Sequence, residues 1–147
     1  MSSRLLTDCV MELQQKVPVI ILDYETAYPG RVLKVICTLR STQEQQVLFA
    51  QGRTKVDGVH KFSLHNPDPE NSLSRAVDFG VFVNNQYITQ NFYYYPLLDL
   101  ARKYSLISGF DFFETGEPLE KCLLHKYFKD PPHIQTHAKL YVPPVVG

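Results

Sequence analysis

The chain has 147 residues, a length that favours a single domain, spanning residues 1–147, around one hydrophobic core. Lys plus Arg and Asp plus Glu both number 15, so the formal charge is zero and no basic field favours nucleic acid. The longest apolar stretch, Val17 to Leu22, is interrupted by Pro18 and is too short to cross a bilayer. Nucleic-acid binding and stable membrane insertion are therefore not expected.

The termini and cysteines indicate where the protein is made. Residues 1–15 carry polar and acidic side chains within their apolar run and no small-residue cleavage site, so we expect no signal peptide. Cys9, Cys37 and Cys122 are widely spaced and form no Cys-x-x-Cys pair, which favours reduced thiols. Both observations predict a protein made in the cytoplasm without an export signal of its own.

The first half of the chain predicts a helix, a strand and a second helix. Apolar residues at helical spacing predict a helix over residues 3–15. The β-branched run that follows Pro29-Gly30 predicts a buried strand over residues 32–37. Ser41, with Glu44 three residues later, forms a capping box and predicts a helix over residues 41–51.

The second half predicts a hairpin, a helix and an edge strand. Residues 76–83 form a strand pattern, Asn84-Asn85 a turn, and Tyr87 with Ile88 a shorter strand. Pro96 is suited to the first turn of a helix that runs to about Ser105. The tail from Lys139 predicts an edge strand or a docked terminus. This order indicates an α+β fold with a central, mainly antiparallel sheet and flanking helices.

His65, Asp78 and His133 are the candidate metal ligands. Catalytic zinc is commonly held by three side chains of the histidine and carboxylate type. Asp78 lies in an apolar strand, where a carboxylate is costly to bury unless a cation compensates it. The alternative is that Asp78 faces solvent. Lone histidines are more often surface residues, and this interpretation is given to the remaining three, His60, His125 and His137.

Asp130 and two arginines are candidates for the chemistry beside such a metal. Asp130 lies three residues before His133, so the local chain would deliver it to the metal-activated water as a general base. Asp-Pro-Pro is also an ordinary turn that Asp caps through its side chain. Arg40 and Arg53 compete as the positive donor to the developing oxyanion.

Five short motifs in this order resemble the zinc peptidases that cleave peptidoglycan. That superfamily includes the vancomycin-resistance D,D-carboxypeptidases and dipeptidases and the small phage endolysins that act as L-alanyl-D-glutamate endopeptidases. The resemblance covers about residues 33–135. The motifs are Arg40-Ser41-x-x-x-Gln45, Gly52-Arg53-Thr54-Lys55, Ser63-x-His65, Ala76-x-Asp78 and Phe128-x-Asp130-x-Pro132-His133-x-Gln135.

The resemblance implies a role for each motif residue. It implies that a Zn²⁺ ion is bound by His65, Asp78 and His133, that Asp130 is the general base and that Arg40 stabilises the oxyanion. Ser63, Arg53 and Gln45 would then support the ligands from behind or bind substrate. The implied substrate is the stem peptide of bacterial peptidoglycan. The implied protein is a monomeric endolysin that waits in the host cytoplasm until it is released to the cell wall.

The chain also departs from the family pattern. His65 and Asp78 are thirteen positions apart, a longer spacing than is usual in the family, and residues 66–73 have the composition of a surface loop. Ser74 and Phe110 stand where the family has glycines, and Phe112 retains the aromatic bulk of the family's cleft. A D,D- or L,D-carboxypeptidase and a non-catalytic wall-binding or virion protein of the same fold remain as alternatives.

Overall fold

A central antiparallel sheet organises the part of the chain that the computed structural model describes, residues 2–53 and 63–137. The fold is α+β, as the sequence predicts. Two short 3₁₀ turns, Leu6–Asp8 and Asn91–Tyr94, accompany the regular elements. These elements are α1 (Met11–Ala27), β1 (Arg31–Cys37), α2 (Thr42–Ala50), β2 (Ala76–Val83), β3 (Gln86–Ile88), α3 (Pro96–Lys103), β4 (Ile107–Ser108), α4 (Leu119–Leu124) and β5 (His133–Gln135).

The strand register places three chemically important residues in one row. The strands follow the order β1-β2-β5-β4, with β3 also paired to β2, and all of these pairs are antiparallel. Cys37 of β1 lies opposite Asp78 of β2, and Asp78 lies opposite His133 of β5. An irregularity between Val35 and Cys37 shifts the β1 register immediately before this row. Residues that are 41 and 55 positions apart in sequence therefore become neighbours across the sheet.

Several local predictions are confirmed. The predicted strand over residues 76–83 is β2, and Asn84 and Asn85 form the turn with φ angles of 51° and 63°. Asn tolerates this left-handed region better than most residues, which favours a tight hairpin. The Ser41 hydroxyl accepts a hydrogen bond from the Glu44 N–H at 3.1 Å and caps α2.

The position of the first helix was predicted wrongly. Residues 3–10 lie outside it, because α1 begins at Met11 and continues through Pro18 to Ala27. Pro18 removes a backbone donor and disfavours a helix interior. The buried stripe of Leu13, Val17, Ile20 and Tyr24 offsets that cost, since the packing of an amphipathic face dominates helix stability in proteins.

Three short elements in the second half were not predicted. β4 has two residues, β5 has three and α4 has six, and elements of this length carry no measurable hydrophobic period. Partner strands rather than their own sequences define β4 and β5. The edge strand predicted from Lys139 falls outside the described residues.

Helices α1 and α3 pack together on the sheet and enclose the core. Its largest fully buried side chains include Tyr24, Phe79 and Phe110. All three cysteines are buried and free, as expected for reduced thiols. Within the described ranges, no helix has the length and apolar character needed to cross a membrane.

The long segment between His65 and Asp78 is closed by its own contacts. The Asp68 N–H bonds to the Leu73 carbonyl at 3.0 Å, and the Asp68 carboxylate pairs with Arg75. Ser74 is fully buried, and its hydroxyl donates to the Ala76 carbonyl at 2.7 Å. These contacts hold both ends of the segment in place. The strand that carries Asp78, β2, begins directly after the segment.

Candidate metal centre

Three side-chain atoms from distant parts of the chain meet at one point. The distances are 3.1 Å from His65 Nε2 to Asp78 Oδ1, 3.0 Å from His133 Nδ1 to Asp78 Oδ1, and 3.2 Å between the two nitrogens. Both histidines are buried and Asp78 is largely so. The structure thus brings together all three residues that the sequence nominates as metal ligands.

The outer hydrogen bonds of the two histidines determine which nitrogen faces this point. His65 Nδ1 donates to the Thr38 carbonyl at 2.7 Å, and His133 Nε2 donates to Gln135 Oε1 at 2.8 Å. In the neutral tautomers His65 Nε2 and His133 Nδ1 therefore carry lone pairs toward a carboxylate oxygen. Three acceptors meet without a proton between them, so the cluster requires either protonated imidazoles or a cation.

The pKa values of His65 and Asp78 also indicate that this cluster needs a positive charge. Burial by itself lowers the pKa of His65, but the charge and hydrogen bond of Asp78 outweigh it and raise the pKa to about 10. Burial also acts to raise the pKa of Asp78, but the positive charge of His65 and the hydrogen bond from His133 hold it well below its usual range. The carboxylate thus stays ionised only beside a positive partner.

The triangle fits zinc in both geometry and donor type. Tetrahedral zinc with bonds of 2.0–2.2 Å places its ligand atoms about 3.3–3.5 Å apart, close to the observed separations of 3.0–3.2 Å. Two imidazole nitrogens and one carboxylate oxygen form a donor set that zinc favours in catalytic sites. The backbone and amide acceptors behind the two histidines orient the rings in the way that zinc sites require.

The loop that carries His65 is fixed from both sides. The Ser63 hydroxyl accepts from the His65 N–H at 3.1 Å, and the Asn66 amide donates to the Arg40 carbonyl at 3.1 Å. The Arg40 N–H in turn donates to the His65 carbonyl at 2.8 Å. Ser63 therefore shapes the loop rather than contacting the other ligands. The end of β1 and the loop hold His65 over the row of Asp78 and His133.

Asp130 lies beside the triad and is half-buried. Its carboxylate is 3.8 Å from His133 Nδ1, and Asp78, Asp130 and His133 each offer a ligand atom within 4.8 Å of the others. Burial, followed by the negative charge of Asp78, raises the pKa of Asp130 despite the nearby His133, His65 and Arg40. A carboxylate with a raised pKa is suited to take up and release a proton.

Gly109 allows the Asp130 segment to approach β4. The Asp130 N–H donates to the Gly109 carbonyl at 2.9 Å, and the Gly109 N–H donates to the His133 carbonyl at 2.7 Å. A Cβ atom on Gly109 would lie only 1.7 Å from the Asp130 carbonyl oxygen. Only glycine therefore permits this pair of hydrogen bonds.

Arg40 is held near the triad by two side chains. Its Nη1 donates to Gln45 Oε1 at 3.0 Å, and its Nη2 contacts Cys37 Sγ at 3.5 Å. Gln45 is fully buried in α2, so it anchors the guanidinium from the protein interior. The structure thus joins Arg40 and Gln45, the two ends of the Arg-Ser-x-x-x-Gln motif.

Arg53 does not join this cluster. It follows α2, is exposed, and its Nη1 donates to Gln51 Oε1 at 3.4 Å. It lines the same groove of about 820 Å³ as Cys37 and Arg40, which runs along α2. Between the two arginines, Arg40 is therefore the one placed beside the candidate centre.

Comparisons with known proteins identify distant structural likeness but no matching family. No protein-family model matches the chain, and no curated protein matches it. Among solved structures, the chain is similar to the L-Ala D-Glu endopeptidase ChiX of Serratia marcescens, with 17% sequence identity and a TM-score of 0.49. The match covers 92% of this chain and 90% of that chain. A likeness this distant leaves the function to be argued from the site itself.

The sequence did not identify Cys37 as part of the site. Cys37 Sγ lies 3.8 Å from His65 Nδ1, between that histidine and Arg40. Burial acts to raise the pKa of the thiol, but the hydrogen bond and charge of His65 outweigh it and lower the pKa. The available signal was its position at the end of a strand, three residues before Arg40.

The prediction that His125 and His137 are surface residues is confirmed. His125 pairs with Glu117 at 3.1 Å and His137 with Glu114 at 2.6 Å, all at the surface. His60 lies outside the described residues. Neither His125 nor His137 belongs to the candidate metal groups found in the described part of the chain.

Proposed function

We propose that this protein is a zinc-dependent peptidase that cleaves the stem peptide of bacterial peptidoglycan. The observation that carries the proposal is the convergence of His65 Nε2, Asp78 Oδ1 and His133 Nδ1 at 3.0–3.2 Å, in a buried cluster that requires a positive charge. Three such ligands leave a fourth zinc position for water, the arrangement found in hydrolytic zinc sites. The proposal therefore begins with metal-assisted hydrolysis.

The chain's own residues have distinct tasks in this reaction. Bound zinc would act as a Lewis acid and lower the pKa of a bound water toward about 7. Asp130, whose carboxylate is 3.8 Å from His133 Nδ1, would accept a proton from the attacking water and return it to the departing amine. Arg40, held by Gln45 and Cys37, would donate to the oxygen on which negative charge develops.

The substrate class rests on the order of the sequence motifs. Arg-Ser-x-x-x-Gln, Ser-x-His, Ala-x-Asp and Asp-x-Pro-His resemble the peptidoglycan-cleaving zinc peptidases. Within that group we assign the chain to the L-alanyl-D-glutamate endopeptidases and to a phage endolysin that acts in host lysis. Such a protein would stay in the host cytoplasm until release to the wall. The groove of about 820 Å³ beside Arg40 offers room for an extended peptide.

Two alternatives use the same fold. A D,D- or L,D-carboxypeptidase would need a cation for the terminal carboxylate of its substrate, and Arg53 in the groove is a residue of that type. A non-catalytic wall-binding or virion protein would retain the ligands without turnover. Asp130 beside the triad favours the catalytic proposal over this second alternative.

Digestion of purified peptidoglycan tests the proposal. The zinc-loaded protein, a chelated sample and Asp130→Asn would be compared by mass spectrometry of the released fragments, with metal content measured on each sample. Asp99→Asn is the matched control, because it makes the same chemical change at an exposed position of α3. New L-Ala and D-Glu termini that require zinc and Asp130 would support the endopeptidase.

Other products would redirect the assignment. Release of terminal D-Ala would establish a carboxypeptidase. Stoichiometric zinc without metal-dependent products from several wall types would favour the non-catalytic protein. Absence of zinc binding in the wild-type protein would contradict the whole proposal.

A further inference from the structure

Four aromatic residues, two of them in contact in a path from His133, lie beside the candidate metal centre. The Phe112 ring lies 5.3 Å from the ring of His133, and the Phe128 ring stacks on Phe112 at 6.0 Å with an interplanar angle of 10°. Phe113 and Tyr127 are the chain neighbours of this pair, and their rings are 5.1 Å apart. We call Phe112, Phe113, Tyr127 and Phe128 the aromatic ledge.

The ledge is not part of the hydrophobic core. Phe113 is 70% exposed and Phe128 is 64% exposed, although burial would stabilise either side chain. Exposed aromatic groups that adjoin a candidate active site are typical of ligand-binding surfaces. Phe112 contacts a proposed metal ligand and stacks on Phe128, so a ligand that covers Phe128 would lie two ring contacts from His133.

The local charge argues against an anionic partner. Residues 111–130 carry five acidic and three basic side chains, a net charge of −2 with neutral histidine. Lys129 Nζ lies 4.6 Å from the centre of the Tyr127 ring. One cation in a segment of net negative charge does not form the basic patch that attracts anionic lipid surfaces and anionic polymers. The ledge instead suits a neutral ligand with one apolar face and polar edges.

We propose that the aromatic ledge binds a sugar ring of the glycan strand that carries the stem peptide. This inference rests on the proposed function and adds a subsite to it. The C–H face of a hexopyranose is apolar and stacks on an aromatic ring, while its hydroxyl groups stay in contact with water. An N-acylated sugar whose carboxyl group forms an amide bond is neutral, and a neutral ligand suits the net negative charge of residues 111–130.

The length of the substrate fits this position. In peptidoglycan the L-Ala residue is joined through a lactyl group to the sugar. Each of these links is about as long as one residue, or roughly 3.5 Å, which places the sugar about 7 Å from the L-Ala carbonyl. From His133, the ring of Phe112 at 5.3 Å is the first step toward the exposed ring of Phe128.

The order of the strands indicates in which direction the substrate would lie across the candidate centre. His133, which adjoins the ledge, is in β5, whereas Cys37, which lines the groove along α2, is in β1. Asp78 of β2 lies between them in the row. The sugar would therefore lie on the β5 side of the centre, and the remainder of the stem peptide on the β1 and α2 side.

Paired substrates test the subsite by kinetics. The zinc-loaded protein would cleave a disaccharide-linked stem peptide and the free peptide of the same sequence, and kcat/KM would be compared. We expect about a tenfold preference for the sugar-linked substrate, and Phe128→Ala should remove that preference. Phe92→Ala is the matched control, because Phe92 is 61% exposed and packs against Tyr93 and Tyr95 instead. It should keep the wild-type preference.

A binding assay separates this inference from the proposed function. The chain has no tryptophan, so Phe128→Trp supplies a single fluorescent reporter at the ledge. Titration with the peptide-free disaccharide should change its emission, and the same reporter in Phe92→Trp should not respond. This readout needs no catalysis.

Each combination of results has a consequence. Disaccharide binding without peptide cleavage would retain the subsite and overturn the peptidase. Cleavage with equal rates for both substrates in wild type and Phe128→Ala would retain the peptidase and overturn the subsite. Sedimentation with anionic vesicles that depends on Phe128, without a disaccharide response, would also overturn it by assigning the ledge to a lipid surface.

Discussion

Replacement of Gly109 by alanine should separate the proposed general base from the metal ligands. The new Cβ would lie 1.7 Å from the Asp130 carbonyl oxygen and 3.1 Å from His133 Cβ. Ordinary contacts need about 3.5 Å, so the Asp130 segment must move by almost 2 Å. The backbone of Gly109 does not have a positive φ, so space rather than conformation is the obstacle.

The expected magnitude follows from the contacts that are lost. Movement of the segment breaks the hydrogen bonds Asp130 N–H to Gly109 O and Gly109 N–H to His133 O, each worth about 1 kcal/mol. Overpacking adds about 1–3 kcal/mol, for a total loss of roughly 3–5 kcal/mol. For a chain of this size that lowers Tm by about 6–20 °C. A shift of 1 Å or more in a catalytic group costs about 100-fold in rate.

Calorimetry and the peptidoglycan digestion assay would measure both effects. Gly30→Ala is the control, since Gly30 has a φ of 89° and a Cβ added there would meet no atom within 4 Å. It should lose about 1 kcal/mol of stability from backbone strain and keep the wild-type rate. A Gly109→Ala protein with wild-type Tm and a rate within twofold of wild type would refute the reasoning.

Three further substitutions have definite expected outcomes. Gln135→Ala removes the acceptor of His133 Nε2 and should weaken zinc affinity by about 10–100-fold in a chelator competition, whereas Gln51→Ala should not. Arg40→Ala should lower kcat by about 100-fold or more with a smaller effect on KM, measured on a soluble stem peptide; equal effects on both would contradict an oxyanion role. Burial acts to raise the pKa of Asp111, but hydrogen bonds from Thr115, Gly116 and Arg102 hold that pKa below 3.8. The ionised Asp111 therefore stabilises the fold above about pH 4, and this stabilisation is lost as the pH falls through the folded pKa. Asp111→Asn should therefore cost about 2 kcal/mol at pH 7 in urea unfolding, and the difference between the two proteins should shrink as the pH falls through the folded pKa of Asp111.

The sequence predicted those features that have a local cause. β2, the Asn84-Asn85 turn and the Ser41 cap each follow from residue types within a few positions of one another. The predicted helix over residues 3–15 was wrong because tertiary packing of the buried stripe, which extends past Pro18 to Tyr24, determines where α1 lies. β4 and β5 exist only through their pairing, which no local pattern encodes.

The convergence of the three candidate ligand residues was predictable from the sequence, but their surroundings were not. His65, Asp78 and His133 stood out because their residue types and motif order are specific. Thr38 acts through its backbone carbonyl and Cys37 through the strand register, so neither leaves a mark in the sequence. The same holds for Gly109, whose importance comes from the close approach of Asp130.

The row of Cys37, Asp78 and His133 across three strands has a consequence for folding. Asp78 and His133 are separated by 55 residues, so they approach each other only after β2 and β5 have paired. Such non-local pairing is slow and carries the entropy of closing a long loop. An unfolded chain therefore offers no preformed chelate, and capture of the ion would be a late event in refolding. Metal uptake would then report the completion of the sheet rather than initiate it.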